Sequence, residues 1–411
     1  MEVYFDNAAT TRCSEAVVKC MEQVFRKEYA NPSSLHKKGF LAEQQIRTAR
    51  EQIAKTLKAK EQEIFFVSGG TESDNLAILG AAAANNRRGK HLITSKIEHP
   101  AVRESFLSLE SKGFSVTYLE VDAHGQIDIR KLQEAITAET ILVSLLYVNN
   151  EIGTISPIAQ AGKLIKETNP NTLFHTDAVQ AYGKYRISPG AEHIDLLSAS
   201  AHKIHGPKGV GFLYVKEKTK ITPLLFGGGQ QKGLRPGTEN TSGIVGLAKA
   251  AEEAYQHLEE DGGGVSLLRE AFVTGLQDVD WAFVNGYGND RELVHGNGIA
   301  NGSDRENINV SVKATDTKFA PHILSISFEG VKSEVLLHAL EDKGIYVSSG
   351  SACSSNKPAV SETLKAIGLK QQYHDTTLRF SFSKYNTLEE VEYTVATLKE
   401  LVPVLQKYTR H

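Results

Sequence analysis

Cysteine is scarce: Cys13, Cys20 and Cys353 are the only three in 411 residues. They lie far apart, are odd in number and form no C-x-x-C pair, which excludes a Cys-only zinc site and argues against a secreted disulfide framework. A reducing, cytoplasmic compartment is the expectation. Long apolar runs are missing too. None approaches about 18 residues, and the opening Met1-Glu-Val-Tyr-Phe-Asp6 lacks a basic stretch followed by an apolar one. A soluble chain with no membrane partner is expected. An excess of one charge is also absent: 46 Lys and Arg face 49 Asp and Glu, a formal net charge of −3, so no net basic field draws nucleic acid. No segment repeats at a period of about 20–50 residues, which disfavours solenoids and propellers. Present instead are 40% apolar residues over a length beyond the roughly 250–300 residues of a single core, which implies two or three domains.

Amphipathic stretches alternate with short apolar runs. Residues 42–57 carry Ile46, Ala49, Ile53 and Leu57 at helical spacing and lead into Ile64-Phe-Phe-Val67. Similar runs recur at 91–94, 116–119, 140–144, 173–176 and 196–198. Strands too apolar to alternate, separated by helices, predict an α/β fold whose mostly parallel sheet is covered on both faces. A helical pattern over 245–260 meets Gly262-Gly-Gly264, which reads as a domain boundary. Beyond it come a helix over 265–276 and a Gly-, Asn-, Asp- and Ser-rich stretch over 286–317. Strands at 322–328 and 378–382 with helices at 333–342 and 387–407 then read as a smaller α+β domain.

Three segments carry chemistry. Val67-Ser-Gly-Gly-Thr-Glu-Ser-Asp-Asn75 follows a strand and opens a helix. Its amides and helix dipole suit a phosphate at Gly70 and Thr71; a capped turn explains the same residues. Asp177 and Gln180, in His175-Thr-Asp-Ala-Val-Gln180, either contact two polar atoms of one flat ligand or form a solvated turn. Lys203, in Ser198-Ala-Ser-Ala-His-Lys-Ile-His-Gly-Pro-Lys-Gly209, is either a surface lysine or an amine that holds a carbonyl. An anion cradle, an Asp for a protonated ring nitrogen and such a lysine are together the parts for pyridoxal 5′-phosphate chemistry. In that reading Asp177 keeps the ring nitrogen protonated, Gln180 donates to the ring oxygen, and Lys203 carries the cofactor and moves the substrate Cα proton. Neither a metal nor a nicotinamide is required.

These segments belong to a longer ordered set: Tyr4-Phe-Asp-Asn-Ala-Ala-Thr-Thr11, Asn31-Pro-Ser-Ser34, Glu98-His99, Val148-Asn-Asn-Glu-Ile-Gly153, Arg235-Pro-Gly-Thr-Glu239, Ser348-Ser-Gly-Ser-Ala-Cys353 and Leu378-Arg-Phe-Ser381. Over nearly the whole chain the set resembles cysteine desulfurases of the Nif/Isc type, in the class V aminotransferase family of pyridoxal-phosphate fold type I. The resemblance implies a large domain over 14–261 with a mostly parallel seven-stranded sheet, and a smaller α+β domain built from 1–13 and 262–411. It assigns His99 to stack on the cofactor and serve as acid or base, and Asn150, rather than Asn149, to contact the cofactor near its 3′-oxygen. Ser200 and His202 would join Gly70 and Thr71 at the phosphate, with Thr238 reaching the neighbouring subunit's phosphate in a homodimer. Arg379, helped by Asn31, would grip the substrate carboxylate, because a guanidinium matches a planar carboxylate in two bonds.

Cys353 decides the reaction. It stands between Ser-Ser-Gly-Ser-Ala and Ser-Ser-Asn-Lys-Pro, a small, polar setting that suits a travelling thiol better than a packed one. The resemblance implies conversion of L-cysteine to L-alanine with the sulfur left on Cys353 as a persulfide, then passed to an iron–sulfur scaffold or a tRNA-thiolation protein. No resident metal is expected; Cys353 would at most ligate a cluster transiently on an acceptor. A selenocysteine lyase, or another pyridoxal-phosphate lyase or aminotransferase, is the alternative. Cys13 and Cys20 read as packing residues of a helix over 14–26. Residues 286–317 read as a polar surface excursion with a hairpin around 308–312, and the Cys353 loop as poorly ordered without a partner.

Overall fold

The structure, a computed structural model, describes residues 1–286, 318–349 and 361–408. The excursion over 286–317 and the Cys353 loop therefore lie almost wholly outside the described residues. The chain opens with β1 (Val3–Tyr4) and α1 (Glu15–Lys27). The latter starts where the sequence places it, with Ser14 Oγ accepting from Val17 N at 3.2 Å.

The central sheet takes β2 (Ile64–Val67), β3 (His91–Ser95), β4 (Ser115–Leu119), β5 (Thr140–Leu146), β6 (Leu173–Asp177), β7 (Leu196–Ser200) and β8 (Gly211–Val215) in the order β2-β8-β7-β6-β5-β3-β4. Only β8 runs against the others. Both faces are buried, and successive residues feed opposite cores. Ile64 and Phe66 join Val143, Phe174 and Phe212 under α2 (Lys37–Thr56), α5 (Ile129–Ala135), α6 (Ile158–Thr168) and α7 (Thr241–Gln256). Phe65 and Val67 join Leu142, Leu196 and Leu213 under α3 (Gly70–Asn85) and α4 (Pro100–Glu110). That double burial is why these strands show no polar alternation. The strand β8 went unread in the sequence because its apolar residues follow directly on the Lys203 motif.

A separate apolar core forms around β9 (Ala282–Val284), β10 (Ile323–Phe328) and β12 (Thr377–Ser381), an antiparallel sheet in the order β12-β10-β9. Val3 and Phe5 belong to this core, and β1 pairs with β11 (Ile345–Tyr346). The glycines at 262–264 do not break the chain: they lie inside α8 (Leu258–Gly275), a single helix that carries Val265, Leu268 and Phe272 into the small core. Three buried apolar anchors at helical spacing outweigh three poor helix formers.

Candidate active site

The strand order puts one edge of the sheet to use. Asp177 ends β6, Ser200 ends β7, His99 follows β3, Asn150 follows β5, and Gly70 opens α3 after β2. All five strand ends point the same way, since β2 and β7 both run against β8, and ligands of open α/β sheets gather outside such carboxyl ends.

An open cradle of about 380 Å³ is lined by Gly69, Gly70, Thr71, Ser200 and His202, with Lys208 at its rim. Gly70 is required by the close approach of Val179, whose Cγ2 would stand 2.8 Å from a Cβ. The start of the 16-residue α3 contributes amides and a positive dipole end. Ser200 Oγ is buried with no hydrogen-bond partner among the described residues. His202 Nδ1 meets Thr10 Oγ1 at 3.3 Å, and its carbonyl accepts from Thr11 N and Oγ1, both at 2.8 Å. Burial and the lysines at 203, 208 and 184 push the His202 imidazole down to about 4, so it faces the cradle as a neutral ring.

Asp177 is 7% exposed and accepts from Val179 N at 2.9 Å. One side-chain ligand atom each of Asp177, His99 and Asp74 lie within 4.8 Å of one another. Burial raises the Asp177 carboxyl, while His99 and Lys203 pull it back down. Asp74 is raised further, by burial and by Asp177 itself, so of the two carboxyls Asp177 is the better anion. Behind them His175, fully buried, bridges Ser144 Oγ at 2.8 Å and Ser198 Oγ at 3.0 Å. Burial holds it at about 3, hence neutral. His99 caps α4, its Nδ1 accepting from Ala101 N at 3.1 Å. That places the ring proton on Nε2. Burial lowers the His99 imidazole despite Asp177.

The N-terminal segment threads the rest together. Lys203 Nζ donates to the carbonyls of Ala8 and Ala9, at 2.5 and 2.7 Å. Gln180 Nε2 shares the Ala8 carbonyl at 2.9 Å, which leaves its buried Oε1 without a partner among the described residues. Arg379, 3% exposed in β12, donates to the Asn150 carbonyl at 2.8 Å and to Asp6 Oδ1 at 2.9 Å; its Nε is buried without a partner there. Asn149 is spent on the turn itself, accepting from the amides of Glu151 and Ile152 at 2.9 Å and donating to Ile97 O. Asn150 is half-buried beside Arg379.

Two candidate residues are not brought into this group. Asn31 is exposed and its side chain closes a turn onto Ser33 N. Thr238 is exposed and does not line the cradle of its own chain. Cys353 lies outside the described residues. Both other cysteines have thiols raised chiefly by burial, which suits packing rather than nucleophilic attack. Sequence reasoning passed over Asp6, Asp74 and the Ala8 and Ala9 carbonyls. Only Asp74, an acid just before the apolar run that begins at Leu76 in α3, carried a readable signal.

The pattern of the aminotransferase class-V family matches residues 3–291 and 303–394. The cysteine desulfurase IscS of Methanosarcina thermophila is 42% identical over 404 residues, covering 98% of this chain and 93% of its own length. A NifS-like protein of known structure superposes with a TM-score of 0.86 at 37% identity, over 98% of this chain and all of that one. SspA, solved in complex with cysteine, does so with a TM-score of 0.74 at 33% identity, over 94% and 100%.

Proposed function

We propose a residue-by-residue division of labour for this chain, which belongs to the aminotransferase class-V family and, within it, to the cysteine desulfurases of the Nif/Isc type. Its fold is that of the type I pyridoxal-phosphate enzymes, and its reaction turns L-cysteine into L-alanine while the sulfur passes to an enzyme cysteine. The observation that carries the assignment is that three buried groups, Ser200 Oγ, Gln180 Oε1 and Arg379 Nε, have no hydrogen-bond partner among the described residues. Each such group costs about 1–3 kcal/mol unless a partner arrives. Ser200 Oγ can donate to a phosphate and Arg379 Nε to a substrate carboxylate, while Gln180 Oε1, an acceptor, awaits a donor.

Pyridoxal 5′-phosphate, when bound, supplies an electron sink for the charge left on the substrate Cα. Gly70, Thr71, Ser200 and His202 would hold its phosphate, Asp177 would serve its ring nitrogen as the anion, and His99 would stack on the ring. Gln180, through the second proton of Nε2, and Asn150 would orient the ring oxygen. Lys203 anchors the cofactor and takes the Cα proton, its amine steadied by two backbone carbonyls. Arg379 would hold the carboxylate so that the Cα–H bond faces Lys203; Asn31, exposed and bonded to Ser33 N, is left out of this role. The Cys353 thiolate then attacks the substrate sulfur: the Cβ–S bond breaks, its electron pair stays with the carbon fragment, and a persulfide forms on Cys353. His99 Nε2–H is the proton carrier that completes L-alanine.

A second copy of the chain completes the site in this reading, Thr238 reaching the partner's cradle. Its exposure supports this, as do uncovered apolar side chains such as Phe226, 86% exposed. The division into 14–261 and 1–13 with 262–411 is supported by the small core, which takes Val3, Phe5 and residues from Val265 onward, while Ala8, Ala320 and Ile323 pack into the large one. No helix among the described residues is long and apolar enough to cross a membrane; we place the enzyme in the cytoplasm, handing its sulfur to an iron–sulfur scaffold or tRNA-thiolation protein. Cys353→Ala should keep the bound cofactor and its colour while losing alanine formation; an undiminished alanine rate would remove Cys353 from the mechanism.

A further inference from the structure

A cavity of about 470 Å³ opens between the two cores, with Ile204 of the large core on one side and Phe382 of the small core on the other. It shares no lining residue with the phosphate cradle, and of the residues given roles above only Lys203 reaches its wall. Clefts of this size between domains are the usual seat of small ligands.

Two polar groups converge in it. The Gln180 carbonyl accepts from Lys184 Nζ at 3.4 Å and from the His322 ring. His322 is 5% exposed, and its Nε2 has no hydrogen-bond partner among the described residues. Because the ring proton already serves the Gln180 carbonyl, Nε2 is left as an acceptor. Lys184 has no carboxylate within ion-pair distance among the described residues. The acids on the same wall are engaged: Glu259 with Arg186 at 3.2 Å and Asp261 with Lys384 at 3.6 Å. Burial, with Lys203 nearby, pushes the Lys184 ammonium down to about 7, as befits a cation short of a counter-ion.

The glycines of α8 supply the third observation. Gly262 and Gly263 line the cavity, and a Cβ on either would meet nothing within 4 Å. A helix-interior glycine costs about 0.5–1 kcal/mol relative to alanine, and no close neighbour requires one here. What they provide is room.

We propose that this inter-domain cavity binds a small hydroxycarboxylate, its carboxylate paired with Lys184, its hydroxyl donating to His322 Nε2 and its short carbon chain against Ile204 and Phe382. The test uses the holoenzyme with sodium L-lactate as the probe. Sodium propionate serves as the analogue without the hydroxyl, and methyl L-lactate as the analogue without the charge. Saturation-transfer NMR and the thermal midpoint over a concentration series read the binding. Lactate should bind saturably, propionate about tenfold more weakly, the equivalent of one missing hydrogen bond, and methyl lactate not at all. L-Alanine should not displace lactate, and the cofactor absorbance should not change. Lys184→Met and Gly262→Leu should each abolish binding. Since leucine is a far better helix former than glycine, Gly262→Leu should match or exceed the wild-type thermal midpoint and keep its turnover, which separates a blocked cavity from a failed fold. Any of four results overturns the proposal: no saturable lactate signal, equal binding of propionate, wild-type binding by Gly262→Leu, or displacement by L-alanine, which would put the probe at the reaction site.

Discussion

Replacing Arg379 by lysine separates substrate recognition from structural support. The wild-type guanidinium spends one bond on the Asn150 carbonyl and one on Asp6, at 2.8 and 2.9 Å, and keeps Nε in reserve. A carboxylate arriving at Nε and at a spare terminal proton gains two charge-assisted bonds. Lysine preserves the charge but not the planar fork, so about one of those bonds is lost. At about 1.5–3 kcal/mol for a hydrogen bond to a charged group, affinity for L-cysteine should fall roughly 10- to 150-fold. Cysteamine, which lacks the carboxylate, is the internal control and should lose almost nothing. Dissociation constants for both ligands, taken from the change in cofactor absorbance in a Cys353→Ala background, avoid turnover during the measurement. If both weaken by the same factor, Arg379 serves only to tie Asp6 to the Asn150 turn and the carboxylate assignment is refuted.

Ser200→Ala removes a buried hydroxyl that has no partner among the described residues, so it should leave thermal stability of the cofactor-free protein unchanged while weakening cofactor retention. A loss of about 1.5–3 kcal/mol, roughly 10- to 150-fold in the dissociation constant, is expected by equilibrium dialysis; unchanged retention would take Ser200 out of the cradle. Glu98 is 7% exposed and accepts from Ser95 Oγ and Leu146 N. Burial, with Asp177 adding to it, lifts the Glu98 carboxyl from 4.5 to about 8. A raised pKa in the folded state means that the stabilisation is fully present below about pH 4.5 and is lost as the pH climbs through 8. Glu98→Gln, which imitates the protonated acid, should therefore match the wild type near pH 5 and exceed its stability at pH 9, by an amount on the order of 4 kcal/mol or less. Urea unfolding at the two pH values checks this, and identical pH profiles would contradict it.

Much of the architecture was legible because burial on both faces writes itself into the strands: Ile64-Phe-Phe-Val67 and the runs at 140–144 and 196–198 leave no room for polar alternation. The same logic made Asp177 and Lys203 visible, since charged residues at the ends of such strands stand out, whereas Ser200 came only with the family resemblance. Gly262–Gly264 read as an interruption of the helical pattern because local propensity registers the glycines but not Val265, Leu268 and Phe272, whose burial holds the helix together. The supporting contacts were hidden for a different reason. The Ala8 and Ala9 carbonyls that receive Lys203 are backbone groups with no side-chain signature. Asp6 meets Arg379 only because β1 and β12 are brought into one small core. The choice between Asn149 and Asn150 likewise turns on which amide the Glu151 and Ile152 turn consumes, a matter of geometry beyond any spacing rule.

The central claim is that sulfur leaves the substrate on Cys353. Peptide mass spectrometry after brief exposure of the holoenzyme to L-cysteine, with thiols capped at once, tests it directly. The account predicts that the Cys353 peptide becomes heavier by one sulfur atom while the Cys13 and Cys20 peptides stay unmodified, and that the extra sulfur disappears in Lys203→Ala. Alanine production with no added sulfur on Cys353, or an added sulfur found on Cys13 or Cys20 instead, would contradict it.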